Sequence, residues 1–593
     1  MTVTQPDTMV TDPEIAADIE RWESMLERYL AGDVDEETFK VFRLTSGVYG
    51  QRQAGHNQML RVKIPYGALR PGQLDVLGHI ADEFSRGWGH ITTRQNIQFH
   101  FVQLERVSEA MRVMGAAGLA TREACGDAVR TIQGCHLAGA CPFEVLDISP
   151  WAEAATRHFI RNPLSQRLPR KFKINFSGCV TDCGQAMFND VGVIAATRER
   201  PDGSIESGFR LFIAGGLGAN PHPALALEEF TSREDLLPTL EAALRFFDQS
   251  GNRENKLRAR MKWLVDTLGI DEIRRRIFAI RRLLPASATF PGGIPDEVLA
   301  AGDGAAGGEP AQDATRIENS VPIRIVTTDP YDRWASVNVV RRAGNGTVSA
   351  YAHARLGDIT GDQFRGLADL QRELDADVRV TNRQNLVLRN LVEDDLPLLY
   401  EHLVALDMAR PGAELIRDVV ACPGADTCNL GVTQSRGLAR AIDEALETDG
   451  LAEVSGVRIN ISGCPNSCGQ HHVADIGFYG VERRAHGRPA PGYQMLLGGH
   501  VGQQQVQFGT RATRLPARSI PEAVTRIVRR FVAERHTDEL FREWLARIGG
   551  APVIVEQLSD IITFPTPEES PDHYVDFDEI LPFDVKLGEA ECL

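Results

Sequence analysis

The feature that most constrains this chain is an internal repetition, because the sequence before and after its middle carries the same blocks in the same order. TTRQNIQ around Arg94 returns as TNRQNLV around Arg383, Cys135 and Cys141 return as Cys422 and Cys428, and KINFSGCVTDCGQ returns as RINISGCPNSCGQ. The offsets are 289, 287 and 285 residues, and such small drifts over three blocks indicate a duplicated half rather than a solenoid, whose repeats are far shorter. Between the halves, PASATFPGGIPDEVLAAGDGAAGGEPAQDA, beginning at Pro285, is rich in Gly, Ala, Pro and Asp and has no periodic apolar face; it reads as a linker.

In each half an alternating stretch (KFKINFS, VRINIS) predicts a strand, Gly-Cys a turn, and VGVIAA or ADIGFYG a second strand. Ser149-Pro150 predicts a helix start with a capping residue and a proline at the first position, and LGVTQSRGLARAIDEALE predicts another helix. Strands and helices mix within each half, so the fold class is α+β, a mixed α/β chain of two pseudo-symmetric halves. With 593 residues, several domains are expected.

The 64 basic and 81 acidic residues give a net charge of -17, which argues against nucleic acid as a partner. The start, MTVTQPDTMVTDPE, has neither the basic nor the apolar part of a signal peptide, and no apolar run approaches the roughly 18 residues that cross a bilayer; a cytoplasmic protein without a membrane partner is expected. In a reducing compartment ten cysteines do not read as structural disulfides, so a clustered subset reads as metal ligands or redox groups. Cys592, in the tail EAECL, reads as a surface thiol.

The clustered subset is clearest in the second half: Cys422-x5-Cys428, about 35 residues, then Cys464-x3-Cys468. Soft thiolates select zinc, copper(I) or iron–sulfur clusters. Structural zinc favours tighter knuckles in small modules, whereas the corners of a cuboidal cluster are wider apart and suit two turns that each offer two thiolates. Pro and Gly in ACPGAD and SGCPNSCGQ keep backbone amides close enough to hydrogen-bond sulfur.

At these residues the chain resembles the siroheme-dependent sulfite and nitrite reductases. ACPGADTC and SGCPNSCGQHHVADIGFYG carry the resemblance in the second half, and MLRVKIPYG, TTRQNIQFH, GDAVRT and LPRKFK in the first, over residues 43–547. The resemblance implies a six-electron reduction, sulfite to sulfide or nitrite to ammonia, at a siroheme coupled to a 4Fe-4S cluster on Cys422, Cys428, Cys464 and Cys468, with Cys468 bridging to the siroheme iron. It also implies that each half pairs a ferredoxin-like half-domain with a siroheme and cluster-binding domain. The expected boundaries are an N-terminal extension 1–48, half-domain 49–110, anion-binding domain 111–284, linker 285–320, half-domain 321–400, cluster domain 401–550 and acidic tail 551–593. That tail is expected either to be disordered or to wrap the body from Pro565 onward.

The resemblance assigns the substrate anion to Arg61, Arg130, Lys171 and Lys173. Arginine offers oxygen a fixed fork, and a lysine among like charges loses its proton more easily and can donate it. Lys171 and Lys173 sit two apart in a strand-like run and face the same way; the same pattern read without the resemblance fits a solvated strand edge. Siroheme carboxylates are assigned to Arg94, Gln95, Gln98 and His90, with Gln384 and Asn385 from the mirrored block. His100, His136, His471 and His472 read as hydrogen-bonded structural residues.

No dinucleotide fingerprint or P-loop appears, and AGGLG at Ala214 lacks the rest of such a pattern, so electrons are expected from an external carrier, a ferredoxin or a flavoprotein. The basic stretch from Asn252 to Leu284 reads either as a dock for an acidic carrier or as a helical pair with solvated charges. Lys173 in LPRKFK favours sulfite, while GCPNSCGQ with ADIG also resembles nitrite-reducing relatives. A non-catalytic iron–sulfur or siroheme electron-transfer protein is the rival from another class, but a pure carrier needs no anion pocket.

One departure stands out. Cys135, Cys141, Cys179 and Cys183 keep the x5 and x3 spacings in the first half, where single-chain assimilatory relatives usually lose them. Arg383, Arg417 and Arg458 mirror Arg94, Arg130 and Lys173, Gly456 stands where Lys171 does, and the counterpart of Arg61 falls near Val340 and Arg341. A second cluster, with a second siroheme as a further option, is expected there beside one competent substrate site; retained redox-protective thiols are the alternative.

Overall fold

The computed structural model describes residues 11–284, 328–342, 346–413, 415–502 and 505–588. The linker expectation and Cys592 lie outside the described residues.

Each half contributes two five-stranded sheets. The first has the order β1 (Val48–Gly50), β2 (Asn57–Val62), β5 (Ile97–Gln103), β4 (Trp88–Ile91), β13 (Asp358–Thr360). Its counterpart runs β11 (Val339–Arg341), β12 (Thr347–Ala352), β15 (Leu386–Val392), β14 (Asp377–Val380), β3 (Ala68–Leu69). All neighbours in both are antiparallel. The last strand of each sheet belongs to the other half of the chain, so the half-domains exchange edges. Helices Pro71–Phe84 and Gly361–Glu373, which flank the exchanged strands, lie so close that a Cβ on Gly78 would stand 2.8 Å from the Gly361 carbonyl oxygen. One apolar core therefore runs through both, from Leu60 and Phe99 to Phe364 and Leu388. Two unpaired sheet edges are removed by the same exchange.

The other two sheets are mixed. β6 (Gln133–Gly134), β7 (Ile174–Ser177) and β8 (Val191–Glu199) are parallel, and β9 (Ile205–Ile213) and β10 (Leu225–Thr231) continue antiparallel. β16 (Val420–Ala421), β17 (Ile459–Ser462), β18 (Ile476–Ala485), β19 (Arg488–Leu497) and β22 (Thr510–Pro516) repeat the pattern. The strands fall inside the alternating runs but are shorter than expected: β7 begins at Ile174 and β17 at Ile459, so Lys171 and Lys173 precede their strand, and the Cys-x3-Cys turns follow β7 and β17. The helix expected at Ser149-Pro150 runs Ser149–Phe159, so Ser149 is itself helical and Ile148 stands at the cap position, with the Asp147 carboxylate just before it accepting the Ser149 N–H at 2.8 Å. The second expected helix begins only at Ser435, because Val432 and Thr433 donate to the Gly463 carbonyl and keep the chain extended beside the turn.

The tail wraps the body. Phe577 is buried against the second-half core, Asp576 accepts from the Gln434 N–H at 2.9 Å, and Asp578 pairs with Arg440. The basic stretch folds into helices Lys262–Leu268 and Ile270–Arg281, whose charges mostly meet acids of the same chain: Arg260 with Asp190, Arg274 with Asp271, Arg275 and Arg276 with Glu272, Arg281 with Glu228.

Candidate active site and cluster site

Register across the first sheet aligns Arg61 with Gln98, Gln98 with His90, and His90 with Asp358, one row on one face. Arg61 and Gln98 are half-buried. The Arg130 fork is held by the carbonyls of Gly126 and Ala124, each at 2.9 Å, which orient the guanidinium. Arg94 donates to Asn175 Oδ1 and the Thr131 carbonyl, both at 2.7 Å, and its Nε is buried without a hydrogen-bond partner.

These cations share one field. Burial, then Arg61 and Arg130, hold the Arg94 guanidinium well below its ordinary range. Burial, then Arg94, Arg260 and Lys171, do the same to the Lys173 ammonium, with Asp190 working in the other direction. Arg61, Arg94, Arg130, Lys171 and Lys173 are thus brought together around one region, and an ammonium so destabilised is poised to give up a proton.

Gln95, Gln384, Asn385 and His90 are bound up within the protein. Gln95 accepts from the Gly134 N–H at 3.1 Å and donates to the Val380 carbonyl at 3.0 Å. Gln384 repeats this in the other half, accepting from Ala421 N–H at 2.9 Å and donating to the Ile91 and Ala421 carbonyls. Each glutamine ties the short strand just before a cysteine, Cys135 or Cys422, to the opposite half-domain. Asn385 bridges the Ala354 N–H and Asp418, and the two ring nitrogens of His90 face Asp358 and Gln384 at 3.0 and 3.1 Å.

Of the second-half thiols, Cys422 and Cys464 are half-buried and Cys428 and Cys468 exposed. Burial, then the neighbouring thiols Cys468, Cys422 and Cys428, push the Cys464 thiol up, so all four lie within electrostatic reach of one another. The Gly463 N–H donates to Cys422 Sγ at 3.2 Å, as the glycines of SGCPNSCGQ predict. Among the described residues no three Cys, His, Asp or Glu side chains converge tightly enough to close on a single ion; thiolates on a cuboidal cluster occupy separate corners.

The first-half thiols also gather: Cys135 and Cys183 have their sulfurs 2.6 Å apart, and contact with Cys179 followed by burial raises the Cys141 thiol. Beside them lies a small pocket lined by His136, Asp182, Cys183, Asn382, Arg383 and Arg458 among others, the twofold counterpart of the Arg94 and Lys173 region. The structure corrects one correspondence. Arg61 pairs with Gln98 as Tyr351 pairs with Val387, so the counterpart of Arg61 is Tyr351, not Val340 or Arg341, which lie on the neighbouring edge strand. Tyr351 is held by His136 Nε2 at 2.8 Å, and Arg417 is ion-paired to Asp443 and Glu447.

Sequence reasoning missed several contacts. The Thr93 hydroxyl donates to the Cys468 carbonyl at 2.9 Å, and its counterpart Asn382 donates to the Cys183 carbonyl at 2.5 Å. Asp190 accepts from the Lys173 N–H at 3.0 Å while binding Arg260 through both oxygens. Thr93 and Asn382 are the residues that differ within an otherwise repeated TxRQN block, the one signal that could have pointed to them.

Comparison with known proteins identifies the frame. The model described as "Nitrite and sulphite reductase 4Fe-4S domain" matches residues 125–282 and 412–558, and "Nitrite/Sulfite reductase ferredoxin-like half domain" matches residues 49–117 and 340–406. The chain belongs to the nitrite and sulfite reductase family. Within that family it is 28% identical over 522 residues to an assimilatory ferredoxin-dependent nitrite reductase of Haloferax mediterranei, covering 85% of this chain and 84% of the relative. It is 30% identical over 530 residues to sulfite reductase [ferredoxin] 2 of Mycolicibacterium paratuberculosis, covering 84% and 87%. The solved structure of the Mycobacterium tuberculosis NirA protein superposes with a TM-score of 0.73 at 27% identity, covering 91% of this chain and 97% of that one. The two family domains, each present twice, are the two pseudo-symmetric halves. Among the described residues no helix is long and apolar enough to cross a membrane.

Proposed function

We propose that the chain is a cytoplasmic sulfite reductase, delivering six electrons to sulfite, whose three oxygens leave as water and whose sulfur leaves as sulfide. The observation that carries this is Lys173, whose backbone N–H is held by Asp190 and whose ammonium lies in the field of Arg94, Arg260 and Lys171. Sulfite is largely a dianion near neutral pH and gains more from one further positive charge than nitrite does. Arg61, Arg130, Lys171 and Lys173 hold the anion; Lys173, with its weakened hold on a proton, protonates the departing oxygens.

The residues fit the groups the family implies. Cys422, Cys428, Cys464 and Cys468 supply four thiolates for a 4Fe-4S cluster, with the Gly463 amide already directed at one sulfur. Gln98 and the unpartnered Nε of Arg94 supply donors for siroheme carboxylates. Siroheme bound there would supply the iron at which the anion is reduced, and Cys468 would be the residue it shares with the cluster. Gln95, Gln384, Asn385 and His90 support that site from behind by fixing the strands. A ferredoxin, which both named relatives use according to their names, is the proposed donor.

The gathering of Cys135, Cys141, Cys179 and Cys183 supports a second cluster. Acid-labile sulfide of about eight per chain is expected, against about four for one 4Fe-4S cluster; a value near four, unchanged in a Cys179→Ser, Cys183→Ser variant, removes the second cluster. Substrate choice is tested by comparing kcat/KM for sulfite and nitrite in the same preparation. The GCPNSCGQ turn and the Haloferax relative favour nitrite as the second reading, and a clear preference for nitrite replaces the first with it.

A further inference from the structure

The cluster loop of the second half, residues 422–434, is held from outside by two segments far away in sequence. From the β1–β2 connection, Arg52 donates to the carbonyls of Ala425 at 2.6 Å and Gly431 at 3.4 Å, and its backbone N–H to Thr427 at 3.3 Å. Its guanidinium also donates to the Lys586 carbonyl of the C-terminal strap. The strap closes on the same loop, with the Gly588 N–H donating to the Asn429 carbonyl at 3.0 Å, one residue from the exposed Cys428. Farther back, Asp576 and Glu579 take the Gln434 N–H and side chain at 2.9 and 2.8 Å. A side chain on Gly437 would collide with Phe577 at 2.5 Å, so the strap lies directly on the helix Ser435–Thr448.

The twofold repeats half of this device. Arg342, the register counterpart of the neighbouring Gln51, donates to the Gly139 carbonyl in the first-half cysteine loop at 2.7 Å, but Glu144 neutralises it at 3.3 Å. Arg52 instead sits among backbone carbonyls of the cluster loop, in electrostatic reach of Cys428, Glu579 and Asp426. A fixed cation beside a cluster favours its reduced, more negative form, and a clamped loop resists loss of iron.

We propose that Arg52 is a positioning residue for the second-half cluster: its charge raises the reduction potential of that cluster, and its fork, closed by the C-terminal strap, holds the Cys422–Cys428 loop on the iron. This rests on the reading that these cysteines carry a cluster, which iron and sulfide analysis of the wild-type chain tests separately.

The experiment is an anaerobic redox titration of full-length holoenzyme, followed by electron paramagnetic resonance of the reduced cluster, together with the rate of iron release to bathophenanthroline. Arg52→Gln removes the charge and should lower the one-electron equilibrium constant for reduction about tenfold, ~59 mV, with faster iron release. Arg52→Lys keeps the charge but not the fork, so its potential should stay near wild type while iron release quickens. An unchanged potential in Arg52→Gln, or a fall as large in Arg52→Lys, overturns the electrostatic role. Truncation after Asp584 removes the Lys586 and Gly588 contacts; it should speed iron release severalfold, and a wild-type rate there overturns the clamp even if Arg52→Gln assembles no cluster.

Discussion

Two carbonyls occupy the Arg130 fork, and the loop that presents them begins at Glu123, a fully buried carboxylate among Lys63, Arg122 and the Arg161 N–H. Glu123 thus holds the start of the loop that orients Arg130, an arginine proposed to bind the anion, without touching it. Glu123→Ala leaves buried cations and an amide unpaired, at about 1–3 kcal/mol; the loop should loosen, and KM for the anion should rise about tenfold with a smaller change in kcat. A loss confined to kcat would mean that Arg130 is not the group affected. Lys63 tests the same cluster by pH. Burial pushes its ammonium down to about 8, whereas an unfolded lysine titrates near 10.4. Between those values the unfolded chain binds more protons, so this group's contribution to stability rises with pH and is least favourable below pH 8. Lys63→Gln should lose that rise: relative to wild type, its urea midpoint should be higher at pH 7 than at pH 10, by the equivalent of about 3 kcal/mol at most. The arginines were legible in the sequence because their motifs carry them. Glu123 and Asp190 were not, since an acid that works by holding a backbone amide leaves no spacing pattern.

At the scale of elements, the strands that carry the cysteine turns were legible from alternation, but the exchange of edges was not. β3 and β13 are two and three residues long, and each follows a tight turn with a non-glycine residue at positive φ, Tyr66 at 40° and Leu356 at 56°. A run that short carries no period, and its partner lies in the other half of the chain. The girders Gln95 and Gln384 were read from their motif as cofactor contacts because the motif gives position, not direction. Both sit at positive φ, 52° and 69°, and their amides are taken up by backbone groups of the two halves. Gln384→Ala removes three hydrogen bonds around Ala421 and Ile91, and each buried group left unpaired costs about 1–3 kcal/mol. The strand leading to Cys422 should fray and iron content should drop in the second half, with the sulfide count falling accordingly. Gln95→Ala should act on the first half in the same way and spare the second-half cluster signal. Equal losses in both variants would show that the glutamines stabilise the fold as a whole rather than one cysteine each.

The whole molecule is a twofold frame with an unequal pair of sites. On its axis Gln185 and Gln470 exchange amide hydrogen bonds at 2.8 and 2.7 Å, and both sit at the same left-handed turn after a Cys-x3-Cys. The duplication was the most legible property of the chain, and the asymmetry was visible in Gly456 but not in Tyr351, because register and not spacing decides which residue faces Arg61's place. The consequence is electrostatic. Arg61 bonds to a hydroxyl, and Arg130 to two carbonyls of its own loop. On the other side Tyr351 brings no charge, and Asp443 and Glu447 take up that of Arg417. An anion entering the mirrored cavity meets Arg383 and Arg458 with too little further positive charge to replace its hydration. One sulfite site per chain is therefore expected whatever the number of clusters. Arg61→Ala and Lys173→Ala should each lower kcat/KM for sulfite by 100-fold or more, in line with the loss of one preorganised charge at a reacting oxyanion, about 2.7–4 kcal/mol. Arg458→Ala and Tyr351→Phe, at the twofold-related positions, should remain within about threefold of wild type, less than 1 kcal/mol. Steady-state kinetics on the four variants, each checked for iron content, separates the two sides, and a drop of tenfold or more in Arg458→Ala with iron intact would mean that both sites turn over.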